Sequence, residues 1–189
     1  LSCYGGRLLE TPNIDRIAKE GIRFENAFTT NGLCAPSRAT LLTGTYTHIN
    51  GMLSNPGIPD LPPDEQPRFD PAQETFPKIL KRHAYQTGMV GKWHLPVNPA
   101  EPGFDYFVYK EGAGGPYYEP TGYLGNPSLG SAEIQHYQYE GYETDVMTDL
   151  AIKGMQQFKQ PFLMMVQFFN AHRPFDPPHK YEHLYDTER

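Results

Sequence analysis

Phe162-Leu163-Met164-Met165-Val166-Gln167-Phe168-Phe169 is a nearly unbroken apolar run, and Asn170-Ala171-His172-Arg173-Pro174-Phe175 follows it directly. A short apolar run without polar alternation reads as a strand covered on both faces, as in a parallel sheet layered with helices. Upstream of it, about Thr144 to Phe158 reads as a helix with Val146, Met147, Leu150 and Ala151 turned inward. Gln86 to Val90 reads as a second strand, leading into Gly91-Lys92-Trp93-His94, and Thr75 to His83 as a helix with Phe76, Ile79 and Leu80 on one side. Pro36 suits the first turn of another helix and Gly44 its end. Nearest the start, Thr11 is a candidate N-cap, Pro12 a first-turn residue, and Ile14, Ile17 and Ala18 form an apolar stripe ending at Gly21. Ile22-Arg23-Phe24-Glu25 then alternates like a strand. The order helix, strand, helix, helix, strand, helix, strand predicts an α/β fold, a mostly parallel central sheet with helices on both faces.

Two stretches, Asn55–Pro71 and Pro96–Tyr142, lack clear periodicity, and the second is rich in Gly, Pro and Tyr. Both are expected to be structured loop excursions. A chain of 189 residues can bury a real core as one domain. The net charge of −6 provides no global basic field for nucleic acid, so any anionic substrate must be held by local cations. With Cys3 and Cys34 as the two cysteines, there is neither a disulfide framework nor zinc-ligand spacing. No apolar run is long enough to span a membrane. The chain opens at Leu1 in mid-motif and reads as a fragment, so the lack of a leader says nothing of compartment.

In open α/β sheets ligands bind beyond the carboxyl ends of strands. Cys34 follows the first expected strand, His94 the second and His172 the third, which points to a single site. Cys34 lies just ahead of a helix start, where free N–H groups and the positive dipole end collect anions, and Arg38, four residues on, adds a fixed cation to the same face. An isolated cysteine is more often a small inert core residue. Lys92 and His94 are two apart, so in an extended chain both side chains share a face. A lysine is usually solvated and a histidine often merely hydrogen-bonded, so this pair is weak alone. His172 can point into a crevice or cap a loop carbonyl, and Arg173 can hold substrate or be plain surface. His48 suits a rim or loop role; His83, His136, His179 and His183 have no identifiable convergent partners. Tyr117 and Tyr118 could stack on a sugar, although loop tyrosines commonly do not.

Cys34-Ala35-Pro36-Ser37-Arg38, continued by Leu42-Thr43-Gly44, resembles the signature of the type I, formylglycine-dependent sulfatases of the alkaline-phosphatase-like superfamily. Gly91-Lys92-Trp93-His94 is similar to the second signature of that family, and His172 with the Pro174-Phe175 pair to its third recurring feature. The resemblance implies that a formylglycine-generating or sulfatase-maturating enzyme oxidises Cys34 to formylglycine, whose hydrated aldehyde is the nucleophile. It further implies that Lys92 binds sulfate, that His94 takes a proton to expel sulfate, and that His172 protonates the leaving alcohol and binds substrate with Arg173. Cys3 matches an early family segment and is expected to be structural. At His83-Ala84-Tyr85 relatives usually carry glycine, so this helix is expected to end differently.

The family's metal is usually Ca2+. By the resemblance two aspartate ligands lie on a strand before Leu1, and an Asp-Asn or Asp-His pair with a further lysine lies after Arg189, so Cys34, as formylglycine, is the one expected metal ligand in this chain. Residues 1–189 are accordingly expected to be a partial sulfatase catalytic domain lacking its first strand and C-terminal part, folding poorly and inactive by itself. The expected activity of the intact protein is hydrolysis of an organic sulfate ester on a sulfated small molecule or glycan. A phosphonate or phosphate ester hydrolase with the same nucleophile and a non-catalytic sulfated-glycan-binding relative are the alternatives. By resemblance the compartment is periplasmic, lysosomal or extracellular, with no nucleic-acid partner and no membrane span in this chain.

Overall fold

Alternation along two central strands sorts the side chains of this chain to two sides of one sheet. The structure is a computed structural model describing residues 1–110, 114–126, 131–159 and 161–186. The chain forms two compact units, Leu1–Thr29 with Pro177–Arg189, and Thr30–Asp176. In the second unit five strands, β1 (Gln86–Lys92), β2 (Tyr106–Lys110), β3 (Thr121–Asn126), β4 (Ser131–Gln138) and β5 (Phe162–Gln167), form a sheet in the order β4-β3-β2-β1-β5. The central β1 is parallel to β2, with Gly88 opposite Tyr106 and Lys92 opposite Lys110, and parallel to β5, with Gly91 opposite Gln167.

Helices cover both faces, as the α/β reading expects. Helix α2 (Cys34–Thr43) buries Ala35, Ala39 and Leu42, spaced along one helical stripe, against Met89, Phe107 and Tyr109. A short helix α3 (Thr47–Asn50) follows, and Phe76 of α4 (Phe76–Arg82) packs against the same cluster. On the opposite face Met147 and Ala151 of α5 (Glu143–Gln157) meet Val90, Tyr106 and Val108. Gly44 ends α2 in the left-handed conformation at φ 67, as expected from glycine at that place.

Several details depart from expectation. The Pro96–Tyr142 stretch is not mainly loop: it supplies β2, β3 and β4, and because β2–β3 and β3–β4 pair antiparallel, the sheet is mixed. Glycines and polar residues in Thr121–Asn126 and Ser131–Gln138 hide the period there. Strand β5 lies at an edge; Leu163 and Met165 pack on one side and Met164 on the other, but Phe162 and Val166 stay 44% and 38% exposed, so the described residues cover it only in part. Helix α4 closes with Ala84 at φ 63, its N–H bonded to Lys81 O and that of Tyr85 to Leu80 O, so the alanine takes the left-handed cap despite its Cβ. Cys34 is itself the first residue of α2 rather than lying ahead of it.

The first unit holds a 3₁₀ turn at Ser2–Tyr4, helix α1 (Pro12–Glu20) and a 3₁₀ turn at His179–Tyr181. Asp15 ties the first of these turns to the helix, accepting from Ser2 Oγ at 2.7 Å, Cys3 N at 2.9 Å and Thr11 Oγ1 at 2.9 Å. Cys3 thus contributes its backbone to a structural knot, and Thr11 occupies the N-cap position of α1. Ile14 and Ile17 of the apolar stripe are exposed. Residues 22–25 form no strand; among the described residues no segment pairs with them.

Candidate active site

The ends of β1, α2 and the loop after β5 bring the expected chemistry together within Thr30–Asp176. Cys34 is half-buried at the first position of α2, and Lys92 Nζ, at the last position of β1, lies 3.5 Å from its Sγ. Arg38, one turn along the helix, donates through Nη1 to Lys92 O at 2.8 Å and to Gln167 Oε1 at the end of β5. One guanidinium thus joins α2 to two neighbouring strands while facing the thiol. Its Nε is buried and unpartnered among the described residues. Burial lowers the pKa of both Arg38 and Lys92, and the neighbouring Cys34 opposes the shift at each.

The glycine of Gly91-Lys92-Trp93-His94 has a clear physical cause. Gly91 has φ 107, and a Cβ there would overlap the Gln167 carbonyl of β5. Strand β1 stops at Lys92, and His94 takes φ 58, so it reaches the site through a turn rather than by strand alternation. Burial, and then the charges of Lys92, Arg38 and His172, lower the His94 pKa and favour a neutral imidazole. Its Nδ1 is buried without a hydrogen-bond partner among the described residues.

His172 belongs to the loop after β5, and its Nδ1 lies 2.8 Å from the carbonyl of Arg173. A carbonyl only accepts, so Nδ1 carries the proton and Nε2 is the nitrogen left to exchange one. The Arg173 side chain is exposed, and this residue's contact to the site is made by its backbone.

Several contributors were not foreseen from sequence. Asn55 Oδ1 accepts from Ala35 N at 3.0 Å, and Pro36 has no N–H, so anion attraction at the start of α2 rests chiefly on the dipole and side-chain cations. The pairing of Lys92 with Lys110 across β1 and β2 sets both ammonium groups over the Phe169 ring, 5.6 and 5.1 Å from its centre. Glu143, at the start of α5, is fully buried. Asparagine in a loop, glutamine at a strand end and a glutamate in a helix's first turn give no sequence signal for these roles. Tyr117 is only 2% exposed and does not present a free face to a sugar. A cavity of about 670 Å³ opens beside His94 between Leu95, Val97, Glu101, Tyr109 and Ile134. No group of three or more His, Cys, Asp or Glu side chains among the described residues could hold a metal ion, so these residues do not by themselves make a calcium site.

The sulfatase family model matches residues 1–189. An N-acetylglucosamine-6-O-sulfatase of Bacteroides thetaiotaomicron is 40% identical over 181 residues, covering 94% of this chain and 29% of that protein. A steryl-sulfatase of Rattus norvegicus is 39% identical over 127 residues, covering 57% of this chain and 21% of that one. A protein solved in complex with its substrate, D-glucosamine-2-N,6-O-disulfate, superposes with a TM-score of 0.84 at 38% identity, covering 100% of this chain and 35% of that chain. The chain therefore spans between about a fifth and about a third of the length of these relatives. The family match runs over every residue, and the signature segments around Cys34 and Lys92 meet in space. The chain belongs to the sulfatase family.

Proposed function

We propose that these residues form part of the catalytic region of an enzyme that hydrolyses a sulfate ester on a sulfated sugar. The observation that carries the reading is the approach of Lys92 Nζ to within 3.5 Å of Cys34 Sγ, with Arg38 on the same helix. Sulfuryl transfer needs a nucleophile at sulfur, fixed positive charge for the sulfuryl oxygens and an acid for the leaving alcohol. Oxidised to formylglycine by a maturation enzyme, Cys34 would supply a hydrated aldehyde as nucleophile. Lys92, Arg38 and the start of α2 supply preorganised positive charge. When the ester S–O bond breaks, the alcohol oxygen takes a proton from protonated His172 Nε2. His94, held neutral by burial and neighbouring cations, is suited to accept a proton as sulfate is released.

The substrate class is supported by the relatives named above, one an N-acetylglucosamine-6-O-sulfatase and one bound to a glucosamine disulfate. The cavity beside His94 has room for part of a sugar. Carboxylate ligands for a calcium ion at the nucleophile would come from outside the described residues. By resemblance the enzyme works in the periplasm, a lysosome or outside the cell.

Two measurements on the intact protein test this reading. A mass spectrum of the Cys34 peptide from the native host should show an aldehyde in place of the thiol. Cys34→Ala should abolish sulfate release from a sulfated glucosamine; unchanged turnover would sink the mechanism.

A further inference from the structure

We propose that Tyr117 is a positioning residue that sets His172 for proton transfer to the leaving alcohol; this rests on the sulfatase reading above. His172 sits in a loop outside regular structure, so something other than a strand ladder must fix it. The buried Tyr117 hydroxyl donates to the carbonyl of His172 and lies 3.4 Å from that of Phe169. The Tyr117 ring stacks on Tyr142, with centres 5.9 Å apart and planes 16° from parallel. Tyr142 in turn holds both flanks of the loop: its hydroxyl donates to Asp176 O at 2.8 Å and accepts from Asn170 Nδ2 at 2.8 Å. Thr144 at the start of α5 donates to Asn170 Oδ1.

The imidazole itself is fixed from two further directions. Nδ1 is tied to Arg173 O at 2.8 Å, and Gly114 packs so closely that a Cβ there would lie 3.1 Å from Nδ1. Gly114 and Tyr117 belong to one short segment, which therefore meets both the ring and the backbone of His172. Buried hydroxyls take partners as a rule, but this one chooses the carbonyl of the residue whose ring must be aimed. A small misplacement of an acid lowers the rate of the step it serves.

The test uses leaving groups in the intact protein. Tyr117→Phe keeps the ring and its stack and deletes only the O–H. A nitrophenolate departs without a proton, whereas a sugar alkoxide needs one. Tyr117→Phe should lower kcat on a sulfated sugar about tenfold while changing kcat on para-nitrophenyl sulfate less than about twofold. His172→Ala is the reference and should show the same selectivity with larger amplitude. Equal losses on both substrates, or no loss, in Tyr117→Phe while His172→Ala stays selective would overturn the positioning role alone. An unselective His172→Ala would overturn the acid assignment, and the proposal with it. If Tyr117→Phe does not accumulate as folded protein, Tyr142→Phe takes its place with the same selective loss expected, and equal losses there count against the proposal.

Discussion

Gly91 and Glu143 each carry a burden out of proportion to their size. The positive φ of Gly91 and its approach to Gln167 leave no space for a methyl group between β1 and β5. Gly91→Ala should therefore destabilise the protein by more than about 2 kcal/mol in urea unfolding, from strain and overpacking together. It should also displace Lys92, the next residue. A loss below about half a kcal/mol would mean that the strands part easily there. At Glu143, burial raises the pKa, with Thr144, Phe169 N–H and Lys110 opposing. The unfolded side chain ionises around the ordinary glutamate value of 4.5, while the folded one keeps its proton to higher pH. The stability this carboxyl contributes is thus fully present below that value and lost as pH rises through the folded pKa. Glu143→Gln has no proton to lose, so wild-type stability should fall relative to the variant as pH rises from about 4.5 toward neutrality. Unfolding titrations across that range would show a pH-independent difference if the assignment is wrong.

Helix ends and strand edges show where local propensity yields to packing. Ala84 holds a left-handed cap that glycine occupies without cost, because the bonds at Leu80 and Lys81 close only in that conformation. Ala84→Gly should raise stability by about 0.5–1 kcal/mol, the relief of the Cβ clash outweighing the extra freedom of the unfolded chain. A decrease measured by thermal unfolding would show that the clash is already relieved. The helices α4 and α5 were legible because their apolar spacing matches one turn in 3.6 residues, and α2 because Pro36 and Gly44 mark its two ends. Strand β5 was legible from its apolar run, and β1 as the short segment leading into Gly91-Lys92-Trp93-His94. Strands β3 and β4 were not, since antiparallel strands interrupted by glycine and polar residues carry little period of their own. The apolar composition of β5 suggested full cover on both faces, yet Leu163 and Met165 on one side and Met164 on the other are only partly buried, and the outer edge pairs with nothing among the described residues.

Across the chain, 22 acidic residues give a net charge of −6 while the candidate site gathers cations. None of those carboxylates joins a group able to hold a metal among the described residues. Residues 1–189 expressed alone should consequently release no sulfate from a sulfated sugar, and millimolar calcium should leave their thermal midpoint unchanged. Sulfate release or a clear calcium-dependent stabilisation would show that the chain builds its own metal site. Among the described residues no helix is long and apolar enough to cross a membrane.

The candidate nucleophile, its neighbouring cation and the two candidate histidines could be singled out from sequence because motif chemistry is local: a thiol, a proline and an arginine within one helical turn need no tertiary contact to be recognised. The α/β class followed from periodicity for the same reason. Tertiary structure alone revealed what holds those groups in place. Gln167 reaches Arg38, Asn55 takes a helix N–H, Tyr117 holds the His172 carbonyl, and His94 enters through a left-handed turn. These partners lie far apart along the chain and are ordinary residue types in their own segments. Only folding brings them within hydrogen-bond distance, and only burial makes each of those bonds count.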